Sequence, residues 1–220
     1  MTIMVEVRAA AGGADAKDLV RDQVGIYLRC CAKRGLGVEL VEDRLGAITL
    51  RVSGDGAAAA FANEAGGHRW QHVPKSAKGR VQTSTITIAV LPEPTETEVR
   101  LDPRDLEITV CRGQGPGGQA RNTTDSAVQI KHKPSGLIVR CDIGRSQHAN
   151  KVTAMELLRT RLWQAQQEVS EREHAAARKL QVGAGMRGEK RRTARVQDDQ
   201  VVDHVTGRRW RFSDYQKGAL

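Results

Sequence analysis

Apolar residues along this chain alternate in some stretches and recur every three to four positions in others, and the switches between the two periods outline its elements. The segment "IMVEVRA" (Ile3 to Ala9) alternates and predicts a half-buried strand. A Gly-Gly turn follows in "AAGGADAKDLV", with Asp15 near a helix start. Leu19, Gln23, Ile26, Tyr27 and Cys30 then recur at helical spacing toward Lys33, with Gln23 as the one polar interruption. Gly35 and Gly37 supply the stop. "VELVED" and "AITLRVSG" predict two strands with little but a turn between them. "DGAAAAFANEAG" predicts a short helix ended at Gly66 and Gly67. "HRWQHV" and "TSTITIAV" predict strands that flank "PKSAKGR", a loop rich in Lys and Gly.

"LPEPTETEVRLDP", with three prolines and several acids, is the best linker in the sequence, which sets a boundary near Leu101. Beyond it "LEITVCR" predicts a strand that runs into a glycine-rich stretch. "SAVQIKHK", "PSG" and "LIVRCDI" predict a hairpin. From Gln147 to Gln181 there is no Gly or Pro, and Val152, Met155, Leu158, Leu162 and Val169 mark one long amphipathic helix. "VGAGMRG" breaks it. Strand-like pieces around "TARVQ" and "QVVDHV" complete the tail. The expected division is 1–102, 103–182 and 183–220, in an α+β protein.

The chain has 220 residues, 39% hydrophobic, with only three Trp, two Tyr and two Phe, so its core is expected to be aliphatic. No apolar run approaches the roughly 20 residues that span a bilayer. "MTIMVEVRAA" is too short in apolar character, and carries Glu6 too early, for a secretory signal. Cys30, Cys31, Cys111 and Cys141 show no CxxC and no ligand-like spacing with histidine, so reduced thiols in a cytoplasm, without a metal site, are expected. The net charge of +9 is uneven. Residues 1–100 carry 13 basic and 12 acidic side chains, residues 101–220 carry 22 and 14. That asymmetry points to a polyanionic partner for the second half, nucleic acid first, against the plain alternative of a well-solvated basic surface.

The stretch "GQGPGGQARNTTDSAV" (Gly113 to Val128) is followed, beyond the hairpin, by "RSQHANK" (Arg145 to Lys151). Gly-Gly-Gln alone is weak, because glycine-rich loops are usually only turns. The two strings together, in this order and spacing, resemble the catalytic domain of bacterial class I peptide chain release factors. Asn122, Thr124, Asp125, Ser126, Ala127 and Val128 fall in register with that family's pattern, as do Arg145, Ser146, Gln147, His148, Asn150 and Lys151. "RAAAGGADAKDL", "SGDGAAAAFANEAGGHR" and "GMRGEKRRTARVQDDQVVDHVTG" extend the resemblance over essentially the whole chain. The family's N-terminal helical domain is not matched, which makes the chain similar in size to the release factor H subgroup.

The resemblance implies a mixed-sheet codon-facing domain (1–102) packed with the short tail domain (183–220). A catalytic domain (103–182) with the GGQ loop and the long helix projects from them. It implies partners: a 70S-type ribosome and its RNA, peptidyl-tRNA, an mRNA codon in the A site, and a glutamine methyltransferase acting on Gln119. No cofactor, metal or membrane is implied. Gly117 and Gly118 take backbone angles closed to residues with a Cβ and press close to RNA. Gln119 is presented at the tip, its N–H donating to the developing oxyanion or leaving 3′-oxygen, its side-chain amide shaping which nucleophile fits. The general acid–base work falls to RNA, so hydrolysis happens only within the peptidyl transferase centre and the chain is no stand-alone hydrolase. Arg121, Asn122, Arg145, Gln147, His148, Asn150 and Lys151, with Arg187, Lys190, Arg191, Arg192 and Arg195, are the expected RNA contacts.

Codon recognition in the family uses a loop with a P-x-T or S-P-F tripeptide and a following histidine. Here Pro74, Lys75 and Ser76 keep the proline and a hydroxyl, the loop is one residue shorter, and Gln82 replaces the histidine, which stacks on bases better than glutamine. Glu64 and Gly67 match positions implicated in reading the first codon base. Ala120 and Arg121 stand where many members have His-Val. Three readings stay open: a specialised, rescue-type release factor, an ordinary stop-codon-dependent factor, and a catalytically silent RNA-binding module in the A site.

Overall fold

Ile3, Val5 and Val7 of the first strand are buried as its alternation predicts, but Glu6 between them is buried as well, so the strand is covered more fully than the half-buried strand expected; Arg8 is exposed. A computed structural model describes residues 2–74, 79–93, 99–113, 124–183 and 190–220. It forms two compact units, one of residues 1–94 and 173–220, the other of residues 95–172.

In the first unit, β1 (Thr2–Ala11), β2 (Gly37–Arg44), β3 (Ala47–Ser53), β4 (Gly66–His72) and β5 (Gln82–Pro92) join β9 (Arg192–Arg195), β10 (Gln200–Asp203) and β11 (Arg209–Arg211) in one mixed eight-stranded sheet. The order is β11-β10-β9-β4-β5-β1-β3-β2. The β4–β9 pairing is parallel and the remaining pairings are antiparallel. Helix α1 (Ala14–Arg34) lays Leu19, Val20, Ile26 and Tyr27 on the sheet, and Gly35 ends it in the left-handed conformation at φ 64°. Gln23, the polar member of that stripe, is buried as well and donates to the Tyr215 hydroxyl at 2.8 Å. Six consecutive β5 residues, Ser84–Ala89, are buried, as a strand covered on both faces requires.

Two boundaries differ from expectation. Helix α2 (Ala57–Phe61) stops before Gly66 and Gly67, which open β4 instead. The tail adds β11 and helix α4 (Phe212–Gln216), both too short to show a period; Phe212 meets Trp70 edge-on, with ring centroids 5.5 Å apart.

The second unit holds β6 (Leu106–Cys111), β7 (Ala127–His132) and β8 (Ile138–Cys141), an antiparallel sheet in the order β6-β7-β8. Val128, Ile130, Val139 and Cys141 pack against Ala154, Leu158 and Leu162 of helix α3 (Gln147–Val182). The buried stripe of α3 is thus Asn150, Ala154, Leu158 and Leu162, at i, i+4 spacing. Val152 and Val169, expected inside, are about half exposed. From Glu173 onward α3 belongs to the first unit, where Arg178 grips Glu6 with two nitrogens and Gln181 exchanges hydrogen bonds with the Val90 main chain at 2.8 and 2.7 Å.

Candidate nucleic-acid interface

The register of β6 on β7 sets Cys111 opposite Ala127, so the glycine-rich segment leaves and re-enters the sheet at neighbouring strand ends. Gly117, Gly118, Gln119, Ala120, Arg121 and Asn122 lie outside the described residues. The flanks are held by side chains. Arg140 donates to the Arg112 carbonyl at 3.0 Å, and the Arg112 guanidinium stands 3.7 Å from the Asp125 carboxylate. Downstream, Ser126 donates its main-chain N–H to the Thr124 carbonyl at 2.9 Å and is buried.

At the head of α3, Arg145, Gln147, His148 and Lys151 are exposed, as cations and donors that meet phosphate must be. Asn150 is not. It is 2% exposed and its amide is fully used. Nδ2 donates to the carbonyls of Ser126 (2.7 Å) and Gly144 (2.9 Å), while Oδ1 accepts from the Gly144 N–H (2.7 Å) and the Cys141 thiol (3.7 Å). The expected RNA contact by Asn150 is therefore corrected: no donor or acceptor is left for a nucleic acid.

One arginine of the tail is corrected in the same way. Arg192, 2% exposed, donates to Glu64 at 2.8 Å, to Asp203 at 3.3 Å and to the Tyr215 hydroxyl at 3.3 Å, and its guanidinium faces the Trp210 ring at 4.9 Å. Arg191 is tied to Asp203 at 3.2 Å and to Asn63 at 2.9 Å. Burial opposes the Arg192 charge, but Tyr215 and Glu64 outweigh it and raise its pKa. Burial pushes Asp203 up, whereas the N–H groups of Thr206 and Val205 and both arginines pull it down to about 2. Arg192 and Asp203 are charges of the interior, paired because an unpaired one is not tolerated there, whereas Arg191 is half-buried. Arg195 remains exposed, Lys190 is half-buried, and Arg187 lies outside the described residues.

The expected codon-facing set divides as well. His72 pairs with Gln82 across β4 and β5, so the segment between them is closed at its mouth by an exposed Gln82. Pro74 is buried; Lys75 and Ser76 lie outside the described residues. Glu64 is corrected. It is 1% exposed, and its Oε2 accepts from Arg192 and from the Tyr27 hydroxyl at 2.9 Å, so its carboxylate has no surface on which to meet a codon. Gly67 is buried near the opposite end of β4, about 16 Å from His72 at the rise of an extended strand.

A cluster beside the loop gave little sign in the sequence. Asp15, in the first turn of α1, accepts at one oxygen from the Ser84 hydroxyl (2.5 Å) and meets His72 Nε2 at 2.9 Å. It fastens that helix start to the strand ends flanking the 74–81 loop. Gly12, at φ 130°, crosses directly over Ser84, whose side chain would collide with any Cβ there. The one available signal was an acid following Gly-Gly at a helix start. Among the described residues, no helix is long and apolar enough to cross a membrane.

Residues 95–205 match the RF-1 domain family and residues 1–88 the PCRF domain family. Peptide chain release factor 1 of Anaeromyxobacter dehalogenans is 43% identical over 209 residues, 92% of this chain and 56% of that protein. That of Novosphingobium aromaticivorans is 44% identical over 208 residues, 91% of this chain and 59% of that protein. The solved structure of RF2 of Thermus thermophilus superimposes with a TM-score of 0.56 at 33% identity, covering 100% of this chain and 65% of that one. The chain thus spans less than two thirds of the length of these relatives.

Proposed function

Since the chain belongs to the class I peptide chain release factor family, we propose that it binds the ribosomal A site and promotes hydrolysis of peptidyl-tRNA. One observation carries the reading: "GPGGQ" and the "NTTDS" beyond it occupy the connection between two paired strands whose register keeps the ends of that connection adjacent. Gly117 and Gly118 give the Cβ-free approach to RNA, and Gln119 supplies the amide that steadies the developing charge. Arg121 and Asn122 in the loop, exposed Arg145, Gln147, His148 and Lys151 on α3, and Arg187, Lys190 and Arg195 in the tail form the phosphate-facing set. Gln119 is the residue a glutamine methyltransferase would modify. No cofactor or metal enters this chemistry, and the factor acts in the cytoplasm.

A codon-facing part (1–102) packed with the tail (183–220), and a catalytic part (103–182) that projects toward the peptidyl transferase centre, belong to the same proposal. The two compact units support it in outline.

Gln82, exposed at the mouth of the 74–81 loop, favours a specialised factor that frees peptides on stalled or unusual ribosomes, because glutamine stacks on a codon base less well than histidine. Ser76, with its hydroxyl in the place of threonine, favours ordinary stop-codon release. Peptide release measured on purified ribosomes with stop, sense or empty A sites tests both. Release confined to stop codons supports the ordinary factor, release on sense or empty A sites the specialised one. Binding without release in any state would leave only a silent RNA-binding module.

A further inference from the structure

Along the buried face of α3 the residues run Asn150, Ala154, Leu158, Leu162, one amide in an otherwise apolar row. A leucine at position 150 would bury more apolar surface, so the asparagine is kept there for its hydrogen bonds. Those bonds join three elements. Ser126 lies just before β7, on the downstream flank of the glycine-rich segment; Gly144 lies in the turn from β8 into α3; and Asn150 itself sits on the first turns of α3. Two carbonyls and one N–H of these turns are satisfied by a single side chain. Gly144 is fitted to it, since a Cβ there would stand 3.0 Å from Oδ1.

Resting on the release reading above, we propose that Asn150 is a positioning residue for peptidyl-tRNA hydrolysis. Its amide fixes where the glycine-rich segment re-enters the sheet, relative to the helix turn that bears Gln147, His148 and Lys151. Those three side chains face solvent on the same turns whose inner side carries Asn150. A helix seated on RNA through them therefore carries the Thr124–Ser126 flank with it, through one buried amide. The upstream flank has its own tie, Arg140 on the Arg112 carbonyl. Six residues separate Ser126 from Gln119, and a displacement of about 1 Å at a reacting group can cost about 100-fold in rate. Asn150 touches no substrate; it acts through the place it gives the chain.

Single-turnover peptide release by the full-length chain on purified ribosomes, titrated with factor, tests this. Asn150→Asp keeps the shape and the Oδ1 acceptor but removes both N–H donors and sets a negative charge against two carbonyls. The expected result is a release rate at saturation lowered by about 10-fold to 100-fold, with the half-saturating concentration changed less than about twofold. Gly144→Ala, which presses on the same amide from the opposite side, should lower the saturated rate in the same direction by a smaller factor. Leu158→Ala is the control for stability, since it weakens the same core and leaves the amide alone; it should lower the melting temperature while the saturated rate at 25 °C stays within about twofold. Amide hydrogen exchange at Ser126 should quicken in Asn150→Asp and not in Leu158→Ala. Saturated release by Asn150→Asp at the unaltered rate overturns the inference, as does an equal loss in Leu158→Ala or a loss confined to the half-saturating concentration. In those cases the wild-type chain still releases peptide and the functional reading stands. A wild-type chain that releases nothing overturns both.

Discussion

Arg192 and Glu64, 128 positions apart in the chain, meet in a 2.8 Å ion pair with almost no access to solvent. The pair joins the tail strand β9 to the segment between α2 and β4, and Asp203, Tyr27 and Tyr215 add further hydrogen bonds to it. A carboxylate so placed serves the fold. Glu64→Gln is expected to cost about 3 kcal/mol or more, because it leaves Arg192 buried beside a weakened partner. Urea unfolding measures this directly. Codon preference in release assays should be unaltered at temperatures where the variant stays folded; a changed preference would return Glu64 to the codon-reading set.

His68 is buried against the same cluster, its Nε2 2.9 Å from the Glu64 carbonyl. Burial first, then the Arg192 cation, hold its pKa well below 6.5. The unfolded chain therefore takes up the proton more readily. Stability contributed by neutral His68 is complete above about pH 6.5 and is lost as the pH falls toward the folded value, by up to about 1.4 kcal/mol per pH unit. His204, also lowered by burial, adds in the same direction. Unfolding free energies at about pH 7, 6 and 5 should fall in that order, and His68→Gln should flatten the slope.

Free-standing and ion-paired cations should respond differently to truncation. Lys151→Ala should weaken ribosome binding on every codon alike and reduce the salt slope by about 1. Arg191→Ala, which removes ties to Asp203 and Asn63, should appear in the melting temperature instead. Binding titrations over a range of salt, paired with thermal unfolding, separate the two effects.

Much of the fold was legible because it follows from local period. β1, α1, the β2–β3 and β7–β8 hairpins and the span of α3 all carry their pattern in consecutive residues. Glu64, Arg192 and Asn150 were misread for a common reason. In sequence each is a polar residue inside a motif, and the partners that bury it lie up to 128 positions away or are main-chain carbonyls, which no side-chain pattern reveals. Asp15 was passed over because His72 and Ser84, which give it meaning, belong to strands read separately. β11 and α4, at three and five residues, are shorter than one period of any pattern.

Gln82→His should restore a stacking ring at the mouth of the 74–81 loop. Base stacking is worth about 1–3 kcal/mol, so release on at least one stop codon is expected to rise about tenfold over release on an empty A site. The ratio of the two rates, measured side by side for both proteins, is the readout.

In the proposed reaction a bend without side chains carries the Gln119 amide to the ester between peptide and tRNA. Peptide release by the wild-type chain and by a chain with Gly117→Val and Gly118→Val, compared on the ribosome state the wild type prefers, tests it most directly. The wild type should release peptide measurably, and the double variant should lose at least about 100-fold in rate. Equal rates from both chains would contradict it.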